Sequence, residues 1–351
     1  MSANQKMRRY VRPLDIAHGQ VDLSHGSGGR AMAQLIGEIF LPEFDNPYLR
    51  EGNDGARLPV EAGRMVMASD AHVVSPLFFP GGDIGCLAVH GTINDLAMMG
   101  AQPRWLSASF ILEEGLPLIQ LQQIARSMGR AAREAGVAIV TGDTKVVERG
   151  KGDGIFITTT GIGFLPEGVE IAGDRARPGD RILVSGTLGD HGMAIMAQRE
   201  SLGFASAIQS DTAPLHELVA VLLQSGADVR VLRDPTRGGL ATTLNEIAGQ
   251  SGVGMMLQES AIPVRAAVAS ACEFLGLDPL YVANEGKLVA IVAPEDTDTA
   301  LAALRAHPLG RESDIIGLVQ EDPHQFVQMT TRLGGRRIVD WLSGEQLPRI
   351  C

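Results

Sequence analysis

The chain ends in Pro348-Arg349-Ile350-Cys351, which places a thiol at the C-terminus. A terminus is poorly ordered unless other contacts hold it, and the thiolate form of cysteine is a nucleophile. Cys351 could therefore accept a small group and carry it on a flexible arm. The alternative is a terminal cysteine without a function, because an isolated cysteine is rarely catalytic. The rest of the chain has to decide between these two interpretations.

Four aspartates have positions that suit metal binding. Asp70, Asp143 and Asp234 each end a short apolar run, and Asp95 falls on the apolar face of a predicted helix. Burying a carboxylate on such a face is costly unless it is paired or binds a cation. Mg²⁺ takes one or two carboxylates together with phosphate oxygens, so the four aspartates resemble a site for Mg²⁺ and a nucleoside triphosphate. Helix caps and turns are the alternative, because aspartate is common in both.

Two glycine-rich segments precede predicted helices. The segment 25–30 reads HGSGGR, but it has neither the Walker A spacing nor a preceding strand, so taken alone it is better interpreted as a flexible loop. Thr236-Arg237-Gly238-Gly239 opens a helix just after Asp234. The free N–H groups of a helix start, beside an arginine, can bind an anion.

The composition excludes several classes of protein. The net charge is −11 and aromatic residues make up 4% of the chain, which argues against a nucleic-acid partner. No apolar run reaches about 18 residues, so no membrane span is expected, and the basic N-terminus lacks the apolar segment of a signal peptide. The three cysteines have no zinc-site spacing, which favours a reducing cytoplasm. Cys86 and Cys272 are predicted to be small core residues.

The apolar periodicity predicts strands that alternate with helices in both halves, which is typical of an α/β or α+β protein with two domains. A helix is predicted to begin near Asp83, and another to follow Pro117 and end at Gly136. A buried strand over 137–140 leads into Thr141-Gly142-Asp143-Thr144-Lys145. A shift to proline and glycine at 165–180 marks the domain boundary. We therefore expect an N-terminal extension over 1–20, domains over 21–168 and 169–335, and a mobile tail over 336–351.

Nine short segments, spread from His25 to Cys351, carry a family resemblance. They are HGSGG (25–29), PLFFPGGDIG (76–85), NDLAMMGA (94–101), FILEEG (110–115), GDTKVV (142–147), SGTLGDHG (185–192), RDPTRGG (233–239), NEGK (284–287) and PRIC (348–351). With these segments the chain resembles the AIR-synthase-related (PurM-like) ATP-binding superfamily and, within it, the HypE family of carbamoyl dehydratases of nickel–iron hydrogenase maturation. The extra segment before His25 departs from the family pattern.

The resemblance implies a fold, cofactors and partners. The fold would have an N-terminal dimerising domain, a C-terminal α/β domain and a flexible tail, and the protein would be a homodimer that uses ATP and Mg²⁺. Cys351 would accept a carbamoyl group from a HypF-type carbamoyltransferase. ATP would then drive dehydration of the S-carboxamide to an S-cyanate, and the cyano group would pass to iron on a HypC–HypD scaffold.

The resemblance also implies roles for the residues of the matched motifs. Glu285 would be the base that removes the N–H proton, and Lys145 would stabilise charge on the oxygen or γ-phosphate, or assist proton transfer; a mutual or surface ion pair is the alternative for both. ATP would be bound by Gly28, Gly82, Asn94, Thr144, Arg237 and Gly238. Mg²⁺ would be bound by Asp70, Asp95, Asp143 and Asp234.

Two other functions stay open at this point. One is a different PurM-like ATP-dependent phosphotransferase, of the selenophosphate synthetase or thiamine-phosphate kinase type; selenophosphate synthetases, however, carry their reactive Cys or Sec in the N-terminal glycine-rich loop, whereas this loop reads HGSGG. The other is a non-catalytic carrier or scaffold. From Asp340 the tail could reach about 36–40 Å, so we expect it to be mobile without nucleotide and ordered with it.

Overall fold

A computed structural model describes residues 13–27, 29–53, 55–60, 62–200, 208–342 and 349–351. Its α-helices are α1 (Gly29–Leu35), α2 (Leu41–Phe44), α3 (Pro47–Arg50), α4 (Ile84–Met98), α5 (Leu118–Glu134), α6 (Asp190–Arg199), α7 (His216–Gln224), α8 (Gly239–Ser251), α9 (Ala266–Leu275) and α10 (Thr297–Ala306). Its strands are β1 (Arg64–His72), β2 (Phe78–Phe79), β3 (Gly82–Asp83), β4 (Gln102–Glu113), β5 (Ala138–Val147), β6 (Ile155–Leu165), β7 (Arg181–Val184), β8 (Val229–Arg233), β9 (Gly254–Gln258), β10 (Val289–Val292), β11 (Asp314–Gln320), β12 (Val327–Thr330) and β13 (Arg336–Ile338).

The N-terminal half forms a four-stranded sheet in the order β1-β6-β4-β5. β6 pairs antiparallel with β1 and with β4, whereas β4 and β5 are parallel and are joined by α5, since parallel neighbours need a crossover. Leu121, Ile124 and Met128 recur at helical spacing along α5 and are fully buried. The helix predicted after Pro117 is therefore confirmed, and Gly136 follows its end in a left-handed conformation.

Helix α4 lies between the two domains. Asp83 caps it by accepting hydrogen bonds from the N–H groups of Gly85 (2.7 Å) and Cys86 (3.1 Å), as expected for aspartate at a helix start. Every residue of the helix except Asp95 is buried, so the helix has almost no solvent face. It packs on β1 and β6 of the N-terminal sheet and on α7 and β8 of the C-terminal half. The helix predicted to begin near Asp83 is confirmed.

The C-terminal half is built on a seven-stranded sheet in the order β13-β12-β9-β11-β7-β10-β8. Only the β9–β12 pair among its described strand pairs is parallel. Gly334-Gly335 lies in the hairpin that joins β12 to β13. The mixed sheets and packed helices confirm the predicted α/β (α+β) fold class.

Two sequence predictions differ from the structure in detail. β5 does not end before Asp143; it continues to Val147, because Thr144 and Val146 pair with buried Phe110 and Leu112 of β4. Residues 13–20 pack on the N-terminal domain, with Leu14 N–H donating to Glu38 (2.8 Å) and Gln20 bridging to Pro117.

Two of the three cysteines are buried. Cys86 and Cys272 are 7% and 1% exposed, which confirms that both are core residues. Among the described residues no helix combines the length and the apolar character needed to cross a bilayer.

Candidate active site

Asp70 lies near the end of β1 and points toward α4. It pairs across the sheet with Thr159, whose hydroxyl donates to the carbonyl of Ala88 in α4 (2.8 Å), and directly paired residues point to the same side. Gly91 lets the helix approach, since a Cβ there would lie 2.8 Å from His72 Nε2 and 3.3 Å from Asp70 Oδ2. Burial is the largest effect and raises the pKa of Asp70, but the contact with His72 (3.2 Å), the N–H of Ala71 and the charge of Arg237 together hold the pKa below the ordinary value.

Asp95 of α4 and Asp234, which follows β8, join Asp70 in one cluster. Burial, followed by the charges of Asp234 and Asp70, raises the pKa of Asp95 to about 7. Burial raises the pKa of Asp234 to about 6, with a smaller contribution from Asp70 in the same direction. Mutual repulsion of this kind favours a bound cation, because a cation would stabilise the ionised forms.

Arg237 borders the same cluster at the start of α8. Its charge lowers the pKa of Asp95 and of Cys351, although burial has the larger, opposite effect on both groups. Gly238 caps α8 with a φ of 77°, a left-handed conformation that glycine adopts without steric cost. Among the described residues Arg237 has no hydrogen-bond or ion-pair partner, so its guanidinium and the adjacent helix start can meet an anion.

Glu285 is buried at the centre of the site and its backbone is held from both domains. Its N–H donates to Asp211 Oδ1 (3.0 Å), and its carbonyl accepts from Asn94 Nδ2 (3.2 Å). Burial, together with the charges of Asp234 and Asp211, raises its pKa well above the ordinary value. Its Oε1 has no hydrogen-bond partner within the described part of the chain.

Cys351 reaches the same centre from the other end of the chain. Its thiol lies next to the Glu285 carboxyl group. Burial and the charge of Glu285 raise the pKa of the thiol well above the ordinary value, so the docked sulfur is protonated at neutral pH. The prediction that ATP orders the tail stays a prediction, and residues 343–348 lie outside the described residues.

The cluster can hold a metal only with help from a ligand. Within the described ranges no three His, Cys, Asp or Glu side chains converge closely enough to bind a metal by themselves. This arrangement fits Mg²⁺, which usually takes one or two carboxylates and completes its shell with phosphate oxygens and water. It does not fit zinc, which needs three or four protein ligands.

Within one chain the structure does not bring Asp143 and Lys145 to this cluster. The register runs from Asp70 to Thr159, Ala108 and Gly142, so Asp143 lies three strands away, roughly 14 Å at the usual strand spacing. It also points to the opposite sheet face, because it pairs with Ser109 rather than Ala108. There Lys145 Nζ lies 2.8 Å from Asp143 Oδ2 and lowers the pKa of that carboxyl group.

The other predicted ATP ligands have varied surroundings. Asn94 is buried and bonds to the protein through both ends of its amide, donating to Ala213 and Glu285 and accepting from Leu215 N–H (2.8 Å). We therefore assign it to holding the Glu285 backbone. Thr144 is 4% exposed, and Gly82 packs against Cys86 and Phe79. Gly28 lies outside the described residues.

Sequence reasoning missed two parts of the site. Lys287 forms a buried ion pair with Asp211 (3.2 Å) beside Glu285, and His191 donates to the tail at Ile350. Lys287 lies in the motif NEGK (284–287) and His191 in the motif SGTLGDHG (185–192). The available signal was that each is a polar residue of a family motif for which the sequence had indicated no chemical role.

The chain is similar to known proteins over most of its length. The chain matches the AIR synthase related protein N-terminal domain over residues 52–165 and its C-terminal domain over residues 177–330. It is 68% identical to carbamoyl dehydratase HypE of Cupriavidus necator, over 97% of this chain and 98% of that protein.

Two solved structures share the fold over almost all of their length. One is hydrogenase maturation protein HypE in complex with ATP, with a TM-score of 0.90 and 55% identity over 94% of this chain and 99% of that one. The other is a HypE–HypF complex, with a TM-score of 0.78 and 50% identity over 88% and 99%. The chain therefore belongs to the AIR synthase related family and, within it, to the carbamoyl dehydratases of the HypE type that act in hydrogenase maturation.

Proposed function

We propose that Cys351 carries a carbamoyl group into the cleft, where ATP-dependent loss of water converts the S-carboxamide into an S-cyanate. The observation that carries this proposal is the position of the sulfur, which meets the buried Glu285 carboxyl group beside an aspartate cluster. A carrier or scaffold would not require its thiol to be placed against a carboxyl group whose pKa is raised.

The aspartate cluster and the start of α8 form the proposed site for the ATP phosphates. ATP is the ligand named for the relative with a TM-score of 0.90. Asp70, Asp95 and Asp234 would hold Mg²⁺, which would neutralise phosphate charge in the transition state. Arg237 and the N–H groups beyond Gly238 would bind phosphate oxygens directly.

The reaction balances with ATP as the dehydrating agent. The carbamoyl oxygen attacks the γ-phosphorus, the bond to the β-phosphate oxygen breaks, and ADP leaves. The amide nitrogen then loses its two protons while the C–O bond breaks, releasing phosphate and leaving S–C≡N. ATP is converted to ADP and phosphate, and no oxidant or reductant takes part.

Glu285 is the proposed base for the N–H protons. Its Oε1 is buried and unpartnered among the described residues, so it can accept a proton from the group on the adjacent sulfur. Burial raises its pKa, which makes the ionised form a stronger base. Bound cations would favour that ionised form at the start of the reaction.

A second copy of the chain would supply Lys145 and Asp143. Both lie on the sheet face that also carries Met65, Met67 and Ile111, which are 62%, 65% and 44% exposed. An exposed apolar sheet face of this kind is typical of an interface. A homodimer formed through it would present Lys145 of one copy to the cleft of the other, where the ammonium group would stabilise the γ-phosphate.

The docked thiol also dictates where the carbamoyl group is loaded. Burial and the charge of Glu285 keep Cys351 protonated inside the cleft, and a protonated thiol is a poor nucleophile. Loading would therefore occur on an undocked tail. A HypF-type carbamoyltransferase, the partner named for a relative at 50% identity, would supply the group, and a HypC–HypD scaffold would receive the cyano group in the cytoplasm.

Intact-mass spectrometry tests the proposal. The chain is mixed with carbamoyl donor, a HypF-type partner and ATP, and peptide mapping assigns the modified residue. We expect Cys351 to gain one carbamoyl group and then to lose one water only when ATP is present. A carbamoylated Cys351 that never loses water with ATP would refute the dehydration, and modification elsewhere would refute the role of Cys351.

A further inference from the structure

The last three residues are bound by the protein through their backbone. Val73 N–H donates to the Cys351 carbonyl (3.1 Å), and Ser75 N–H donates to the Arg349 carbonyl (3.1 Å). Between them Val74 and Ile350 form an antiparallel bridge. The tail is thus an added strand next to the segment that follows β1, which is a common mode of peptide recognition.

A buried histidine contacts the remaining carbonyl of this stretch. His191 Nε2 lies 2.7 Å from the Ile350 carbonyl oxygen; because a carbonyl only accepts, Nε2 donates. Nδ1 lies 2.7 Å from Ser210 Oγ, which fixes the ring. His191 is fully buried, and Arg199 reinforces the contact by donating to the Arg349 carbonyl (3.1 Å).

Two side chains of the tail are also recognised. Ile350 is 4% exposed and belongs to the same apolar cluster as Val74, Phe79 and Ile195. Arg349 Nη1 pairs with Asp153 Oδ2 (2.5 Å), and both side chains are about half exposed, at 54% and 42%. Asp153 lies in the loop between β5 and β6, away from the aspartate cluster.

We propose that His191, Asp153 and the segment 73–75 form a recognition site for an Arg-Ile-Cys terminus, and that this site positions the sulfur at Glu285. The proposal rests on the proposed role of Cys351 as the group carrier. It extends that role, because a separate peptide with the same ending would be bound and dehydrated as well. His191 and Asp153 are positioning residues, since neither touches the reacting carbamoyl group.

The first experiment measures docking without any chemistry of the carbamoyl group. Iodoacetamide alkylation of Cys351 is followed by mass spectrometry at fixed pH, with buried Cys86 and Cys272 as internal references for the folded state. We expect Asp153→Lys to speed alkylation about two- to fivefold, as for loss of an exposed ion pair. The double variant Asp153→Lys, Arg349→Glu should return toward the original rate, and His191→Ala should speed alkylation about tenfold or more.

A matched control is Glu170→Lys, which disrupts the exposed Glu170–Arg175 pair (3.0 Å) in the segment between β6 and β7. It should leave the alkylation rate unchanged. The recognition site would be refuted if Cys351 were alkylated at the same rate in the unaltered chain, in Asp153→Lys and in His191→Ala. The pairing of Arg349 with Asp153 would be refuted if the double variant did not slow alkylation again.

The second experiment tests recognition in trans with the full chain. The variant Arg349→Glu, Cys351→Ala is mixed with ATP and an S-carbamoylated peptide ending in Pro-Arg-Ile-Cys. We expect ATP-dependent loss of water from the peptide, about two- to fivefold slower for a Pro-Glu-Ile-Cys ending, and a reversed preference after Asp153→Lys. If the unaltered chain dehydrates its own tail but no peptide, the inference fails; if neither is dehydrated while the alkylation results hold, the proposed function fails and the docking site stands.

Discussion

Binding of Mg²⁺–ATP should become tighter as the pH rises from 6 to 8. A metal ion binds ionised carboxylates, yet the pKa of Asp95 is raised to about 7 and that of Asp234 to about 6. Over this interval the ionised fraction of Asp95 rises about tenfold and that of Asp234 about twofold, so the affinity should rise about 20-fold. At pH 7 binding should release roughly half a proton from Asp95 and about a tenth from Asp234.

Isothermal titration calorimetry with a non-hydrolysable ATP analogue provides the measurement. Repeating it in buffers of different ionisation enthalpy gives the number of protons released. The nucleotide titrates too, so the decisive quantity is the difference between the unaltered chain and Asp95→Asn, in which the tenfold contribution should disappear. An affinity that varies equally with pH in both proteins, or equal proton release, would refute the assignment of Asp95 to the metal.

The remaining predictions concern stability, the base and the dimer. Without nucleotide the raised pKa of Asp95 means that the unfolded state binds fewer protons than the folded state, so the free energy of unfolding should fall as the pH rises from about 4 through about 7. Asp95→Asn should recover up to about 4 kcal/mol of this free energy at pH 8 in urea unfolding. No gain in stability would contradict the claim that burial raises the pKa of Asp95. Glu285→Gln should bind ATP and accept the carbamoyl group on Cys351, but dehydrate about 10²–10⁴-fold more slowly by mass spectrometry; unchanged turnover would exclude it as the base. A 1:1 mixture of Lys145→Ala and Glu285→Gln chains, each inactive alone, should recover about a quarter of the original activity through mixed dimers, whereas no recovery would place both residues in one chain's site. Ile93→Ala in α4 should cost about 2–5 kcal/mol in the same unfolding assay, and a smaller loss would mean that the helix is less tightly packed than its burial indicates.

Local patterns in the sequence were sufficient for much of the fold. The helix capped by Asp83 was predicted because its cap and its apolar spacing are both local features. Asp70, Asp95 and Asp234 come together because Asp70 and Asp234 lie at the ends of β1 and β8, and α4, which carries Asp95, packs against both strands. The strand end predicted before Asp143 was wrong, because β4 extends that far and offers pairing, so β5 continues past Asp143.

The wider arrangement of the site depends on contacts that no local pattern contains. The resemblance implied that Asn94 binds ATP, and no local pattern showed that its amide partners Ala213, Leu215 and Glu285 come from the other domain. The role of His191 depends on its contact with Ile350, which is 159 residues away in the sequence. Side-chain periodicity predicts which residues turn inward, whereas it does not specify which distant segment they meet.

The hydrogen bonds of Asn94 have a consequence for how the protein must work. One amide joins α4 to two segments of the second domain, including the backbone of Glu285, so a swing of the domains apart would displace the proposed base. Substrate and product therefore have to enter and leave the site by a movement other than domain opening. If Cys351 carries the group as proposed, release of the docked residues 349–351 would open the site, and their return would close it with the group that is to be dehydrated.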